Sequence, residues 1–417
     1  MKKGTFIFID QIYACGGVET YIYRMSKWLI SNEYDVILML PEKCSEIDEK
    51  LLEDTRKLGV KILFNLPVPN NHNYGMPTFN IKLNLPEKTK VYIISTTIAD
   101  LYIAEALMYS NQNINFINIA YMLHPEAFVY KDDKSNFFNK IFFNREYKKI
   151  KTKLIKNNIL YFLSEEHKKT FVHTTYKKQI DGRILRLGIN INDLNKEKIL
   201  HHYNKREKIL LTVSRFDFPF KNYLKGLVKS LAVIDNQNIR MKIIGWGKDE
   251  KELVKTIKKL PSSLQQRISI IGGVSYSELC DYLNDSYIYI GEGTSVLDAI
   301  NNNVVSIVVN EYDDECKTDG FFSDNYNVTT TSCTKYKIDY LLNKVLSFSE
   351  EEYVEQFMKD YKTFEEHYNI DKVMNLITSI ENNNAHSITK FQIKKYMIQK
   401  YILINLKNLV NKIKKRK

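Results

Sequence analysis

Arg215 and Lys221 stand in the segment SRFDFPFKN, directly behind the apolar run ILLTV that begins at Ile209. If that run is a strand, both cations lie on the turn leaving its carboxyl end, the edge at which open α/β sheets bind ligands. Two cations converging there suit a diphosphate, whose oxygens take charge-assisted hydrogen bonds, and they would speed the departure of a nucleoside diphosphate. A second junction, ACGGVE from Ala14, puts Gly16 and Gly17 between the run FIFID and a helical stretch. Bare backbone N–H groups can approach an anionic or hydroxyl-rich ligand closely there, although a tight turn with positive φ would ask for the same residues. The G-x-G-x-x-G spacing of dinucleotide sites is absent at this junction. The acid pairs Asp132-Asp133 and Asp313-Asp314 are adjacent rather than spaced as D-x-D, so no metal is expected. Cysteines 15, 44, 280, 316 and 333 are odd in number and contain no C-x-x-C pair, which predicts a reducing compartment and no zinc site.

Positioning these groups takes a sheet, and the sequence supplies two series of short β-rich runs. The first comprises FIFI, VILML, KILF, VYIIS, INFINIAY and ILYFLS between Phe6 and Ser164. The second comprises ILLTVS, MKIIGWG, ISIIGG, YIYIGEG and VVSIVV between Ile209 and Val309. Longer polar segments with helical spacing separate most of them; Tyr21, Met25, Trp28 and Leu29 share one helical face, for example. Alternation of this kind predicts βαβ units and a buried, mostly parallel sheet in each half. At 417 residues the chain is long for one domain. The reading is an α/β protein of two Rossmann-like, doubly wound domains, 1–194 and 195–347, facing across a cleft. Helices over 348–381 are expected to cross back to the first domain, and 382–417 to form a separate basic tail.

In order and spacing the motifs resemble the retaining glycosyltransferases of family 4, which have the GT-B fold. The resemblance rests on Gly16-Gly17 with Val18-Glu19, on VSRFD followed by Lys221-Asn222, and on GWG at Gly245–Gly247. It extends through IIGGVSYSELCDYLNDSYIYI from Ile270 and GEGTSVLDA from Gly291 to Ala299. It implies that Arg215 and Lys221 grip the donor pyrophosphate, with Gly245 nearby, and that Gly16 and Gly17 close against the donor phosphates and sugar. Gly293, Thr294 and Ser295 would start a helix whose N–H groups face phosphate. Asp298 would accept from the ribose hydroxyls, Glu292 would lie near the transferred sugar, and Val274 would belong to the base-facing loop. His124, in YMLHPEAF, matches a cleft histidine; Ser164 and Gly188 match scaffold positions. Two features depart from the family pattern. Glu292 and Asp298 have five residues between them where the family has seven, and Asn303 and Val305 replace a glycine and a proline.

The implied activity is transfer of a hexosyl or N-acetylhexosaminyl group from a nucleotide sugar, UDP-sugar favoured, to a hydroxyl of a glycan or lipid-linked acceptor, with retention and without a metal or cofactor. Synthesis of a bacterial surface polysaccharide or glycoconjugate would employ it. Two rivals are a non-catalytic homologue that binds sugar or stabilises an active partner, favoured by the acid spacing, and an inverting GT-B enzyme, which would lack the Arg–Lys pair.

The net charge of +12 is concentrated in one place: from Ile388 to Lys417 stand nine lysines and one arginine with no acid. A nearly neutral body argues against a nucleic-acid partner. On a helical wheel Phe391, Ile398, Ile402, Leu406, Leu409 and Ile413 share a face opposite Lys400, Lys407 and Lys414, the pattern of a helix lying on an anionic membrane. A similar mix of basic and apolar residues starts at Phe137. With no apolar run of membrane-spanning length, the expected location is cytoplasmic, peripheral on the inner face of the cell membrane. A chain ending at Glu381 is expected to fold.

Overall fold

The structure is a computed structural model that describes residues 2–14, 16–42, 44, 46–66, 81–85, 89–123, 128, 149–175, 183–234, 236, 238–328, 335–381, 386–399 and 401. The chain divides into two compact units, one made of Met1–Gly188 with Ile370–Lys417 and the other of Ile189–Asn369.

All eleven apolar runs form strands. In the first unit these are β1 (Thr5–Ile9), β2 (Asp35–Pro41), β3 (Lys61–Leu66), β4 (Lys90–Ser95), β5 (Asn115–Met122) and β6 (Leu160–Phe162), joined by a short β7 (Arg183–Ile184). The sheet is parallel, in the order β3-β2-β1-β4-β5-β6-β7. Its helices are α1 (Gly17–Ser31), α2 (Glu49–Lys57), α3 (Ile98–Ser110), α4 (149–156) and α5 (Glu165–Thr175). The expected face of α1 is buried through Tyr21, Met25 and Leu29. Because β1 is buried at every residue, its FIFI run reads as continuously apolar rather than alternating.

The second unit starts with α6 (Lys196–Asn204), then β8 (Lys208–Val213), α7 (Tyr223–Ser230), β9 (Ile239–Ile244), α8 (Glu250–Lys258), α9 (Ser262–Gln265) and β10 (Ile268–Ile271). It continues with α10 (Tyr276–Asn284), β11 (Ile288–Gly291), α11 (Thr294–Asn301), β12 (Val305–Val309), β13 (Lys317–Phe321), β14 (Tyr336–Lys337), α12 (Ile338–Leu346) and α13 (Glu350–Tyr368). Its strands run β10-β9-β8-β11-β12-β13-β14, parallel up to β12 and antiparallel beyond. In both sheets the winding reverses beside the first strand of the unit, between β1 and β4 and between β8 and β11. Those two reversals are the switch points where doubly wound sheets open a crevice for ligands.

The domain boundaries differ from the expected ones. The first break falls at Gly188–Ile189, and the charged stretch near 195 belongs to the second unit, where Asn195 caps α6 by accepting from Lys198 N at 3.0 Å. Of the helices expected to cross back, α13 stays in the second unit. Only α14 (Ile370–Thr378) returns to the first, where Trp28 Nε1 donates to Asp371 at 2.6 Å and Tyr92 donates to the Thr378 carbonyl at 3.0 Å.

The tail is corrected further. Residues 386–399 are part of the first unit's core, ending in a helix, α15 (390–399). Ile388, Ile393, Tyr396 and Met397 are buried there, and Tyr396 stacks on Tyr102 with ring centroids 3.9 Å apart. Glu105, fully buried on α3, accepts from Ser387 N at 2.8 Å and pairs with His386 Nδ1 at 2.7 Å, while His386 stacks on Tyr109. Of the stripe expected to meet the membrane, Phe391 is 74% exposed and Ile398 half-buried, and the other four residues lie outside the described residues. The helix turns a different face, that of Ile393, Tyr396 and Met397, to the core. Residues 402–417 and the basic stretch over 137–148 lie outside the described residues. Among the described residues, no helix is long and apolar enough to cross a membrane.

Candidate functional site

The second sheet's switch point gathers most of the expected residues. The turn after β8 carries Arg215, which is exposed, and Lys221, which is not. The turn after β11 carries Glu292. Lys221 Nζ donates to Glu292 Oε1, and the two side chains are only 7% and 10% exposed. Two groups taken from motifs 71 positions apart thus form one buried ion pair, so Glu292 is held at the site despite its unusual spacing from Asp298. Asp217, on the same turn, has its carboxyl held below the usual range by a hydrogen bond from Lys248, helped by the charges of Arg215 and Lys221.

Gly293 follows Glu292 at φ +75, a left-handed backbone that favours glycine, and is the N-cap of α11. No side chain caps that helix start and no acid lies in its first turn, so the positive end of the helix is not offset there, although the Gly293 N–H itself donates to the Val328 carbonyl. Thr294 and Ser295 begin the helix as expected. The Ser295 hydroxyl is already engaged, accepting from Tyr289 OH at 2.6 Å and donating to the Glu292 carbonyl at 3.1 Å, which fixes the turn. Asp298 is buried on α11 and accepts from the Tyr276 hydroxyl at 3.0 Å. Asn303 adopts φ +66, a conformation that asparagine tolerates better than most side chains.

Gly245 ends β9 with φ +149, and a Cβ there would fall 1.8 Å from the Ser214 carbonyl oxygen, so only glycine fits against the Arg215 turn. Val274 lies in the loop between β10 and α10, half-buried, one residue before the Ser275 cap of α10.

In the first unit Gly16 is the N-cap of α1, with extended backbone at φ −151. Neither Gly16 nor Gly17 has a positive φ, which removes the turn argument for them. A Cβ on Gly16 would strike Glu19 Oε2 at 2.5 Å, whereas a Cβ on Gly17 would meet nothing within 4 Å. Both lie at the start of α1, at the far end of the connection that leaves β1. His124 lies outside the described residues. Ser164 is buried at the start of α5, where its Oγ accepts from His167 N at 3.2 Å, and Gly188 packs on Ile370, so both have scaffold contacts.

Sequence reasoning missed a polar cluster at the first unit's switch point. Asp10 directly follows β1, and Asp100 lies in the first turn of α3 after β4. Gln11 Nε2 donates to Asp100 Oδ1 at 3.0 Å, and Thr97 donates to Asp100 Oδ2 at 2.6 Å. Asp10 is 7% exposed and its Oδ2 has no hydrogen-bond partner. Burial, then the neighbouring Asp100 and Glu19, push its carboxyl well above the usual range. The signal was the final aspartate of FIFID, a charge closing an otherwise apolar run.

No family model matches this chain, and no curated protein matches it by sequence. Solved structures do match in fold. HepE from Anabaena, in complex with UDP and glucose, aligns with a TM-score of 0.60 at 12% identity over 90% of this chain and 98% of its own. S. aureus TarM, in a complex containing UDP, aligns at 0.59 and 11% identity over 90% of this chain and 99% of its own. WaaG, a glycosyltransferase of lipopolysaccharide biosynthesis, aligns at 0.52 and 13% identity over 90% of this chain and all of its own. The chain therefore has the two-domain α/β architecture of GT-B glycosyltransferase structures.

Proposed function

We propose that the protein is a glycosyltransferase that moves a sugar from a nucleotide-sugar donor, UDP-sugar favoured, to a hydroxyl of a glycan or lipid-linked acceptor, with retention of anomeric configuration. The observation that carries the reading is the second unit's switch point. There the Arg215 turn, the Lys221–Glu292 pair and the uncapped N-terminus of α11 meet on adjacent strands β8 and β11. Cations and helix N–H groups at that place stabilise a departing diphosphate by fixed charges, the work a metal does elsewhere. Arg215 and Lys221 balance the leaving charge, Glu292 orients Lys221 and faces the sugar, and Asp298 takes the ribose side. The acceptor hydroxyl belongs to the first unit, where Asp10 has an unsatisfied carboxyl oxygen at the other switch point. Gly16 and Gly17, at the start of α1, are that unit's candidate anion contacts. The basic residues after Ile388 hold the enzyme to an anionic membrane, in keeping with a lipid-linked acceptor and a role in surface glycoconjugate synthesis.

Calorimetric titration with UDP in excess chelator tests the donor site. Binding is expected without added metal; binding that returns only with magnesium or manganese would overturn the metal-free reading.

A further inference from the structure

Resting on that donor site, we infer that Trp246 is the stacking platform for the nucleobase of the donor. Trp246 follows β9 and is 55% exposed, an unusual degree for so large an apolar side chain. Despite this exposure it is held in place. Its carbonyl accepts from Phe216 N at 2.9 Å, which ties it to the residue directly after Arg215. Gly245 and Gly247 flank it, and Cβ atoms there would fall 1.8 Å from the Ser214 carbonyl and 2.3 Å from the Phe216 carbonyl, so its backbone lies flush on the Arg215 turn. The Cδ1–Nε1 edge of its indole comes against Gly273, where a Cβ would fall 2.8 Å from Cδ1 and 3.0 Å from Nε1. By leaving out a side chain, Gly273 makes room for the indole and fixes where its edge lies.

The surroundings are those a nucleotide needs. Strand β9 lies between β8 and β10, so Trp246 stands between the turn bearing Arg215 and the loop bearing Val274. Beyond that loop, Tyr276 is exposed over its ring while its hydroxyl donates to Asp298, the residue placed at the ribose. The groups placed at the diphosphate, the ribose and the base thus all belong to the carboxyl side of one sheet, within the second unit. A rigid aromatic face that offers no base-specific hydrogen bond accepts any base by stacking, because every base has a π-face. The platform supplies affinity, and discrimination among bases falls to the Gly272–Ser275 backbone beside it.

The test uses the full-length chain with Trp246→Ala and Trp246→Phe, titrated with UDP, ADP, GDP and base-free inorganic pyrophosphate. Trp246→Ala is expected to weaken the nucleoside diphosphates about ten- to a hundredfold, the range of one lost base–aromatic stack. Pyrophosphate affinity should stay within about twofold, and Trp246→Phe should recover most of the loss. The chain has two tryptophans, so Trp28→Phe leaves Trp246 as the sole reporter, and UDP should quench its fluorescence where pyrophosphate does not. Wild-type binding of UDP, ADP and GDP undiminished in Trp246→Ala, or an equal loss for pyrophosphate, would overturn the platform and leave the donor site standing. Failure of the wild type to bind any of the four ligands would overturn both.

Discussion

At the scale of single residues, the two cations that open the sequence argument are unequal. Arg215 is exposed, so replacing it by alanine should change stability by no more than about 0.5 kcal/mol. Lys221 is buried against Glu292, and removing one partner of a buried pair strands the other charge, at a cost of about 3 kcal/mol. Both substitutions should lower turnover at least about a hundredfold, since each removes a fixed charge from the leaving diphosphate. Melting curves beside steady-state rates separate the cases. Arg215→Ala should melt like the wild type, and Lys221→Ala should melt several degrees lower. Near-normal turnover in both variants would displace the donor site. The sequence could place these cations on a turn, because chain order fixes that. It could not show that Lys221 is paired with Glu292, because the pair joins the turns after strands β8 and β11, which become neighbours only through the crossover of the sheet.

At the scale of elements, the apolar parallel strands were legible because burial on both faces leaves a continuous run of Ile, Val, Leu and aromatic residues. β13, with the sequence KTDGF, was not legible; it is an antiparallel strand near the sheet edge and carries a polar, glycine-containing sequence. α13 was legible as a helix but not as a member of the second unit, because its anchor is a buried carboxylate. Asp360 accepts from Ser323 N at 2.9 Å, from Gln356 at 3.1 Å and from Ser306 N at 3.4 Å, tying the helix to β12. Burial pushes this carboxyl up to about 7, against the opposing effect of those hydrogen bonds. An unfolded aspartate titrates near ~3.9, so the native state holds the extra proton between about pH 4 and 7 and its stability falls as pH rises through that window. Asp360→Asn removes this dependence, worth on the order of 4 kcal/mol across the window. Urea midpoints from pH 4.5 to 8 should show the variant gaining on the wild type as pH rises; parallel curves would mean that Asp360 is ionised throughout.

The carboxy-terminal segment shows where a sequence pattern misleads. Ile393, Tyr396 and Met397 stand off the apolar stripe that a helical wheel picks out, and the wheel cannot say which face has a partner within the fold. The core takes Ile393, Tyr396 and Met397, so a chain ending at Glu381 should lose the first unit instead of keeping its fold. Each such deletion from a core costs about 2–5 kcal/mol, and together they match the whole stability of a typical domain. A chain ending at Tyr401 keeps these contacts and drops Lys407, Lys412, Lys414, Lys415, Arg416 and Lys417. It should melt near the wild-type temperature yet pellet less with anionic vesicles, at about 1 kcal/mol per basic residue at the surface. Equal pelleting of that chain and the full one would rule out the membrane role of the last residues.

For the whole molecule, the two units differ in how the chain builds them, and this decides what each can do alone. The second unit is one continuous segment, Ile189–Asn369, that contains every strand from β8 to β14 and closes on itself, with Ile189 N donating to the Tyr368 carbonyl at 2.8 Å. The first unit needs two segments, because the side chains of 386–397 complete a core whose strands end before Gly188. A fragment of residues 189–369 should therefore fold cooperatively, while one ending at Gly188 should not. Since Arg215, Lys221, Glu292, the start of α11 and Asp298 all lie in the second unit, the 189–369 fragment should also bind UDP. Its affinity should stay within roughly tenfold of that of the full chain, a margin of one backbone hydrogen bond or two. Thermal melts by circular dichroism and a UDP titration of the fragment decide the matter. A folded fragment that binds no UDP would move the principal donor contacts to the first unit, and with them the chemistry assigned to Arg215 and Lys221.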